Sequence, residues 1–276
     1  MAWRSTLALV AKRRPERERT EMAPTTTLPG CWADFTNALN AGIDRVILHG
    51  VPGTGKTFGA LTIGGPVATG HVEIPAAPSA DHLGRRLICT DDMSSIDVTG
   101  AWVPSGAFTW LDGEATKAWR GDGTRGGRLV VDECDKASGD VLGLLLAMTD
   151  STASCVYDHP EHGRIVPLPG FSAVMTSNID DPDDLPEALR DRFPVAIRID
   201  AAHPDALAKL PEHLREIAAQ IVACEDPSRR KSLRAFYAFS TMLDGGMGID
   251  DAGRLAFSAE WWAMCEDSMR VATVGA

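Results

Sequence analysis

The sequence predicts an α/β protein, with a mainly parallel sheet covered by helices on both faces and a small all-helical domain after it. Three observations carry this. First, Gly50-Val51-Pro52-Gly53-Thr54-Gly55-Lys56-Thr57 follows the apolar run Val46-Ile47-Leu48 and reads as a strand, a phosphate-binding loop and a helix start. Second, from there to residue 199, short apolar runs of strand type alternate with helical patterns, the order that builds parallel sheets. Third, beyond His203 only helical spacing remains. The expected division is a flexible basic tail over residues 1–29, an α/β nucleotide-binding domain over 30–202 and a helical domain over 203–276.

Composition narrows the class. The 276 residues are 44% hydrophobic and 24% charged, which favours neither disorder nor a membrane protein, and no apolar run is long enough to span a bilayer. A formal net charge of −11 opposes a protein that coats nucleic acid by neutralising phosphates. The six cysteines are scattered without zinc-type spacing, which reads as reduced structural thiols in a cytoplasmic protein. Near the amino terminus the apolar stretch 7–11 precedes a basic cluster, the reverse of a secretory signal, and Met22 offers an alternative start.

In chain order, Trp32, Phe35 and Leu39 recur at helical spacing within 30–41 and feed the strand before the phosphate loop. The loop's own helix is expected to be short, because Gly64-Gly65-Pro66 stops it. Residues 67–84 are Pro-, Ala- and Gly-rich and read as an irregular excursion before a strand at 86–90. A hairpin around Gly106 is expected over 102–110, a helix over 111–120 and a flexible loop over 121–127. Residues 128–133 form a strand ending in two acids, and 141–148 an apolar helix packed on the sheet. A second hairpin pairs 155–157 with 164–166; then come a strand at 173–176, a helix at 185–193 and a last strand at 195–199. In the helical region Leu214, Ile217 and Ile221 share one face, Leu233, Phe236 and Tyr237 another, and Leu255, Ala259 and Trp262 a third, with Asp250 placed to cap that last helix.

The spacing of the phosphate loop has a mechanical basis. Its glycines let backbone N–H groups turn inward around phosphate, Lys56 reaches the outer phosphates, and the Thr57 hydroxyl binds Mg2+. Ligands of open parallel sheets bind beyond the carboxyl ends of the strands, so Asp132 and Glu133 are expected to meet the loop there. Asp132 would bind the magnesium or its waters, Glu133 would polarise the attacking water, and Asn178 at the next strand end would hold that water.

The succession GVPGTGKT, LVVDE, AVMTSN and LPEALRDRF resembles an AAA+ ATPase and, within that class, the MoxR family, over about residues 32–236. The likeness includes SSIDVTG after the second strand and DECDKA before the apolar helix, while Lys136, Ser177 and Ile179 depart from the family's usual residues. It implies ATP and Mg2+ as ligands, with Phe58 extending the nucleotide-binding set 50–57, and a homo-oligomer, in the family a six-membered ring. It further implies that Asn178 is the first sensor and Arg192 a finger reaching the neighbouring subunit's nucleotide. Arg230, or Arg229 beside it, would be the second sensor in the helical lid, and the two hairpins would be the helix-2 and pre-sensor insertions. A protein client is implied, in some relatives one with a von Willebrand factor A domain. ATP is favoured over GTP because no Asn-Lys-x-Asp signature is present. The competing readings are a nucleic-acid motor or loader and a P-loop enzyme phosphorylating a small molecule.

Overall fold

In this computed structural model the residues described are 28–64, 84–137 and 139–274. Nearly all of the basic tail and of the irregular excursion lies outside them. The chain runs α1 (Gly30–Asn40), β1 (Arg45–His49), α2 (Lys56–Thr62), β2 (Gly84–Ile88), α3 (Ser95–Thr99), β3 (Gly100–Ser105), β4 (Ala107–Asp112) and α4 (Glu114–Arg120). It continues through β5 (Arg128–Asp132), α5 (Gly139–Met148), β6 (Tyr157–His159), β7 (Gly163–Ile165), β8 (Ser172–Thr176), α6 (Glu187–Arg192) and β9 (Val195–Arg198). Only helices follow: α7 (Pro204–Ala208), α8 (Glu212–Val222), α9 (Leu233–Asp244), α10 (Ile249–Phe257) and α11 (Ala259–Val274).

Among the described residues five strands form one sheet in the order β2-β5-β8-β1-β9, each pair parallel. β1, β5 and β8 are buried on both faces, which is why they read as unbroken apolar runs. Alternation sorts their side chains. Ile47, Leu129, Val131, Ala173 and Met175 pack with Trp119, Leu145 and Leu189 from α4, α5 and α6, whereas Val46, Leu48, Val130 and Val174 pack with Trp32 and Phe35 of α1 and Ala60 of α2. This two-layered covering is the AAA+ P-loop fold. Phe236, Phe239, Phe257, Trp261 and Trp262 centre a separate core in the helical region. No helix among the described residues is long and apolar enough to cross a membrane.

Several local expectations need correction. The first hairpin is longer than expected, so residues 111 and 112 belong to β4 and the helix begins at Glu114. Helix α3 was not anticipated; a capping box between Ser94 and Asp97 starts it. In the second hairpin the strands begin at Tyr157 and Gly163, because Cys155 is instead buried in the turn after α5, its thiol donating to the Asp150 carbonyl at 3.2 Å. The loop at 121–127 is tied down: the Asp122 carboxylate accepts from Thr124 and Arg125, and Gly127 N–H donates to the Ala118 carbonyl. Leu255, Ala259 and Trp262 do not share a helix face, since Ser258 at φ 81° separates α10 from α11 and leaves Leu255 exposed. Gly248, not Asp250, caps α10; Asp250 sits in the first turn and pairs with Arg270.

Helix α5 matters for the site because only a short 3-10 turn, Cys134–Lys136, and two residues separate it from Glu133. Its carboxyl end is held by the buried Arg45, which donates to the Thr149 and Asp150 carbonyls at 2.7 and 2.8 Å. Hydrogen bonds of this charged kind contribute about 1.5–3 kcal/mol each, enough to fix where the helix ends.

Candidate functional site

The loop between β1 and α2 sets the site. Gly55, at φ 95°, forms the amino-terminal cap of α2, a left-handed conformation that a side chain rarely tolerates. Gly53 is constrained by space as well: a Cβ there would lie 2.1 Å from that of Ser232. That approach lets the helical lid bond the loop directly. Leu233 N–H donates to the Gly53 carbonyl at 3.2 Å, and His203 N–H donates to the Thr54 carbonyl at 3.0 Å. The buried Thr54 hydroxyl turns back to the Val51 carbonyl at 3.1 Å, so it shapes the loop instead of facing the cavity.

Beside the loop lies a cavity of about 340 Å³. Pro52, Gly53, Gly55, Lys56, Thr57 and Phe58 line one side; Asp132, Glu133, Thr176 and Asn178 line the strand ends; Ala206, Lys209, Leu233, Arg234 and Tyr237 close it from the lid. Residues separated by more than a hundred positions therefore meet at the carboxyl edge of the sheet, where parallel sheets bind their ligands.

Lys56 is buried, and all three of its ammonium protons are engaged. They reach the Gly50 and Val51 carbonyls, each at 2.8 Å, and Asn178 Oδ1 at 3.0 Å. Burial pushes its pKa down to about 8, although Asp132 nearby favours the charged form. An anion entering the loop would relieve that cost.

Asp132 ends β5 with its two oxygens in different company. Oδ1 accepts the Thr57 hydroxyl at 2.7 Å and the Thr176 hydroxyl, while Oδ2 accepts Nε of Arg86 at 3.1 Å and its Nη2. Burial favours the neutral acid, yet the hydrogen bonds from Thr176, Arg86 and Thr57 outweigh it and hold the carboxyl below the usual range. An ionised carboxylate beside a hydroxyl suits a hard dication, which takes one or two protein oxygens and fills its shell from phosphate and water. Thr57 and Asp132 are the residues that would hold Mg2+.

Glu133 follows in the left-handed region at φ 57°, which for a non-glycine residue costs on the order of 1–3 kcal/mol. Glu133 borders the cavity, and its carboxylate pairs with Lys136.

Arg192, expected at a neighbouring subunit's nucleotide, and Arg230, expected at this one, both lie outside this cavity. The guanidinium of Arg192 donates to the Leu146 and Ala188 carbonyls at 3.2 and 3.0 Å and pairs with Asp150 at 3.5 Å. Asp150 also meets Arg45 at the start of β1, so Arg192 sits at the far end of the sheet from its own chain's cavity. Arg230 is spent on the Cys224 and Glu225 carbonyls at 2.7 and 3.1 Å and is not among the cavity residues, nor is Arg229, which pairs with Asp226. Arg234, in the first turn of α9, is.

The sequence reading also missed Arg86, Thr176, Lys209 and Tyr237. Lys209 lies over the Phe58 ring, 4.3 Å from its centre, and the Tyr237 hydroxyl donates to the Ala206 carbonyl at 2.5 Å. A polar residue ending a buried strand was a usable signal for Thr176; the others depend on tertiary placement.

Residues 85–193, from β2 to the end of α6 and including Asp132, Glu133 and Asn178, match the family model of an AAA domain, dynein-related subfamily. No curated protein matches the chain. Among solved structures, a candidate ATPase from Cytophaga hutchinsonii is 18% identical, with a TM-score of 0.43 over 73% of this chain and 54% of its own. NtrX from Brucella abortus is 15% identical, with a TM-score of 0.44 over 90% of this chain and 52% of its own. The chain thus spans about half the length of each of these two. Sheet order and phosphate loop make this an AAA+ P-loop fold, and residues 85–193 are similar to an AAA domain of the dynein-related subfamily.

Proposed function

We propose that the chain is an ATP-hydrolysing ring subunit of the MoxR-like group of AAA+ ATPases, which remodels or assembles a protein partner in the cytoplasm. One observation carries the catalytic part: Lys56, Thr57, Asp132, Glu133 and Asn178 border one cavity at the carboxyl edge of the sheet. ATP would supply the phosphoryl group, and Mg2+ would neutralise charge on it. Phosphoryl transfer needs mainly positioning and charge cancellation, and these residues are of the types that provide both.

In this reading the loop N–H groups and Lys56 hold the outer phosphates, and Thr57 with Asp132 holds the metal. Glu133 takes the proton of the attacking water, and Asn178 orients that water. Arg234 reads the phosphates from the lid in place of Arg230, and Lys209, Phe58 and Tyr237 border the part of the cavity left for the base. Arg192 acts on the neighbouring subunit's nucleotide, which its distance from its own cavity favours and which ties turnover to assembly. A hexamer, and a client of the von Willebrand factor A type, rest on the resemblance to MoxR proteins.

Calorimetry with ATP and Mg2+ tests the site, using Lys56→Ala as the control. Binding by the wild type and its loss in Lys56→Ala are expected; equal affinity in both would refute it. Particle mass with and without a slowly hydrolysed ATP analogue tests the ring, and a monomer under both conditions counts against it.

A further inference from the structure

The cation already on Asp132 is not explained by nucleotide binding alone. Arg86 comes from β2, an edge strand of the sheet, whose register sets Arg86 opposite Val130 and Ile88 opposite Asp132. Side chains alternate along both strands, so these four share the face that α2 covers. From this position the long side chain runs past Ile88 to the strand end, and both Nε and Nη2 donate to Asp132 Oδ2.

That oxygen is the one the hydroxyls leave open, because Thr57 and Thr176 both donate to Oδ1. The pair is asymmetric in burial: the Asp132 side chain is 8% exposed and that of Arg86 is 42% exposed, and both border the cavity. With two N–H donors on Oδ2, its lone pairs are used, and a metal ion or a metal-bound water cannot share it without displacing the guanidinium. The half-exposed Arg86 can leave toward solvent; the buried carboxylate cannot.

We propose that Arg86 is a positioning residue that stands in for the divalent cation at Asp132 in the nucleotide-free protein and must yield when the metal nucleotide enters. Arg86 thereby sets how tightly the site takes its metal. This rests on the metal-nucleotide reading of the cavity. Without the guanidinium, a buried carboxylate would be left unpaired, which is costly, and an incoming dication would recover that cost. Arg86 orients the Asp132 carboxylate through Oδ2 and, by occupying that oxygen, weakens the metal's hold.

The test is Mn2+ binding in the presence of saturating ADP, followed by loss of the free Mn2+ electron paramagnetic resonance signal. The wild type, Arg86→Ala and Arg86→Lys are compared. Arg86→Ala is expected to bind Mn2+ about tenfold more tightly, equivalent to about 1.4 kcal/mol and so to one charge-assisted hydrogen bond. Arg86→Lys, which keeps a charge but loses the two-point hold, should fall between the two and carries the comparison if the alanine variant does not fold. Mn2+ affinity unchanged or weaker in either folded variant, with ADP affinity intact, would overturn the inference and leave the nucleotide reading standing. Failure of the wild type to bind ADP at all would overturn both.

Discussion

Lys56 Nζ donates to Asn178 Oδ1 at 3.0 Å, joining the phosphate loop to the end of β8 across 122 positions of sequence. The bond places a strand-end amide beside the group that, in the proposed function, would hold the outer phosphates. Asn178→Ala should therefore bind ATP with near-normal affinity yet turn over roughly a hundredfold more slowly, the scale seen when one positioned polar group is removed from a transition state. Steady-state kinetics separate the two effects, and a raised KM with unchanged kcat would assign Asn178 to binding alone.

The depressed pKa of Lys56 makes nucleotide affinity depend on pH in a stated direction. The free protein loses the Lys56 proton near pH 8, and the unfolded chain near 10.5, so between these values the unfolded state holds more protons and stability rises with pH. Bound phosphates restore the charged form. Affinity should then fall above about pH 8, by at most about tenfold per unit for one proton, with uptake of close to one proton on binding at pH 9. Calorimetry in buffers of different ionisation enthalpy measures that uptake; none at pH 9 would mean that Lys56 stays charged in the free protein.

Arg230 and Arg234 separate cleanly by variant. Arg234→Ala should weaken nucleotide binding or turnover at least tenfold while the protein melts normally. Arg230→Ala, which frees two carbonyls at the end of α8, should lower stability by about 1–3 kcal/mol and leave turnover intact. The reverse pattern in thermal melts and turnover would return the lid's phosphate contact to Arg230.

Legibility follows how local each signal is. The phosphate loop, Asp132 and Asn178 are readable because each stands at the end of an apolar run, where the strand itself dictates the position. Arg86 is not, because its meaning lies in the pairing of β2 with β5, 46 residues away, and one step of register would turn it to the other face. The sequence pattern offered Arg230 or Arg229 for the lid and not Arg234, whose place depends on where α9 begins. With Ser232 at the cap, Arg234 enters the helix and the cavity wall, whereas Arg230 remains in the loop. Ser258 in the left-handed region broke a periodicity that residues 255–262 otherwise suggested. The capping box that starts α3, Ser94 with Asp97, stood in the sequence and was not read as a helix start.

Arg192 is held at the carboxyl end of α5, by the Leu146 carbonyl on the helix and by Asp150 just beyond it. Arg192→Ala should be inactive alone but regain activity when mixed with Lys56→Ala, which lacks its own site yet offers an intact arginine. A guanidinium supplied across an interface can be worth about 10³ to 10⁵ in rate, so even sparse mixed contacts should register. Absence of rescue at every ratio, with assemblies still forming, would count against a role in trans.

The most direct measurement is single-turnover hydrolysis of ATP by Glu133→Gln beside the wild type, with binding followed in the same samples. The substitution keeps size and hydrogen bonding but removes the base. Retained ATP affinity with turnover lowered by at least about a hundredfold is expected if Glu133 takes the water's proton beside a Thr57–Asp132 metal site. Turnover equal to the wild type would contradict the assignment of this cavity as the hydrolytic centre.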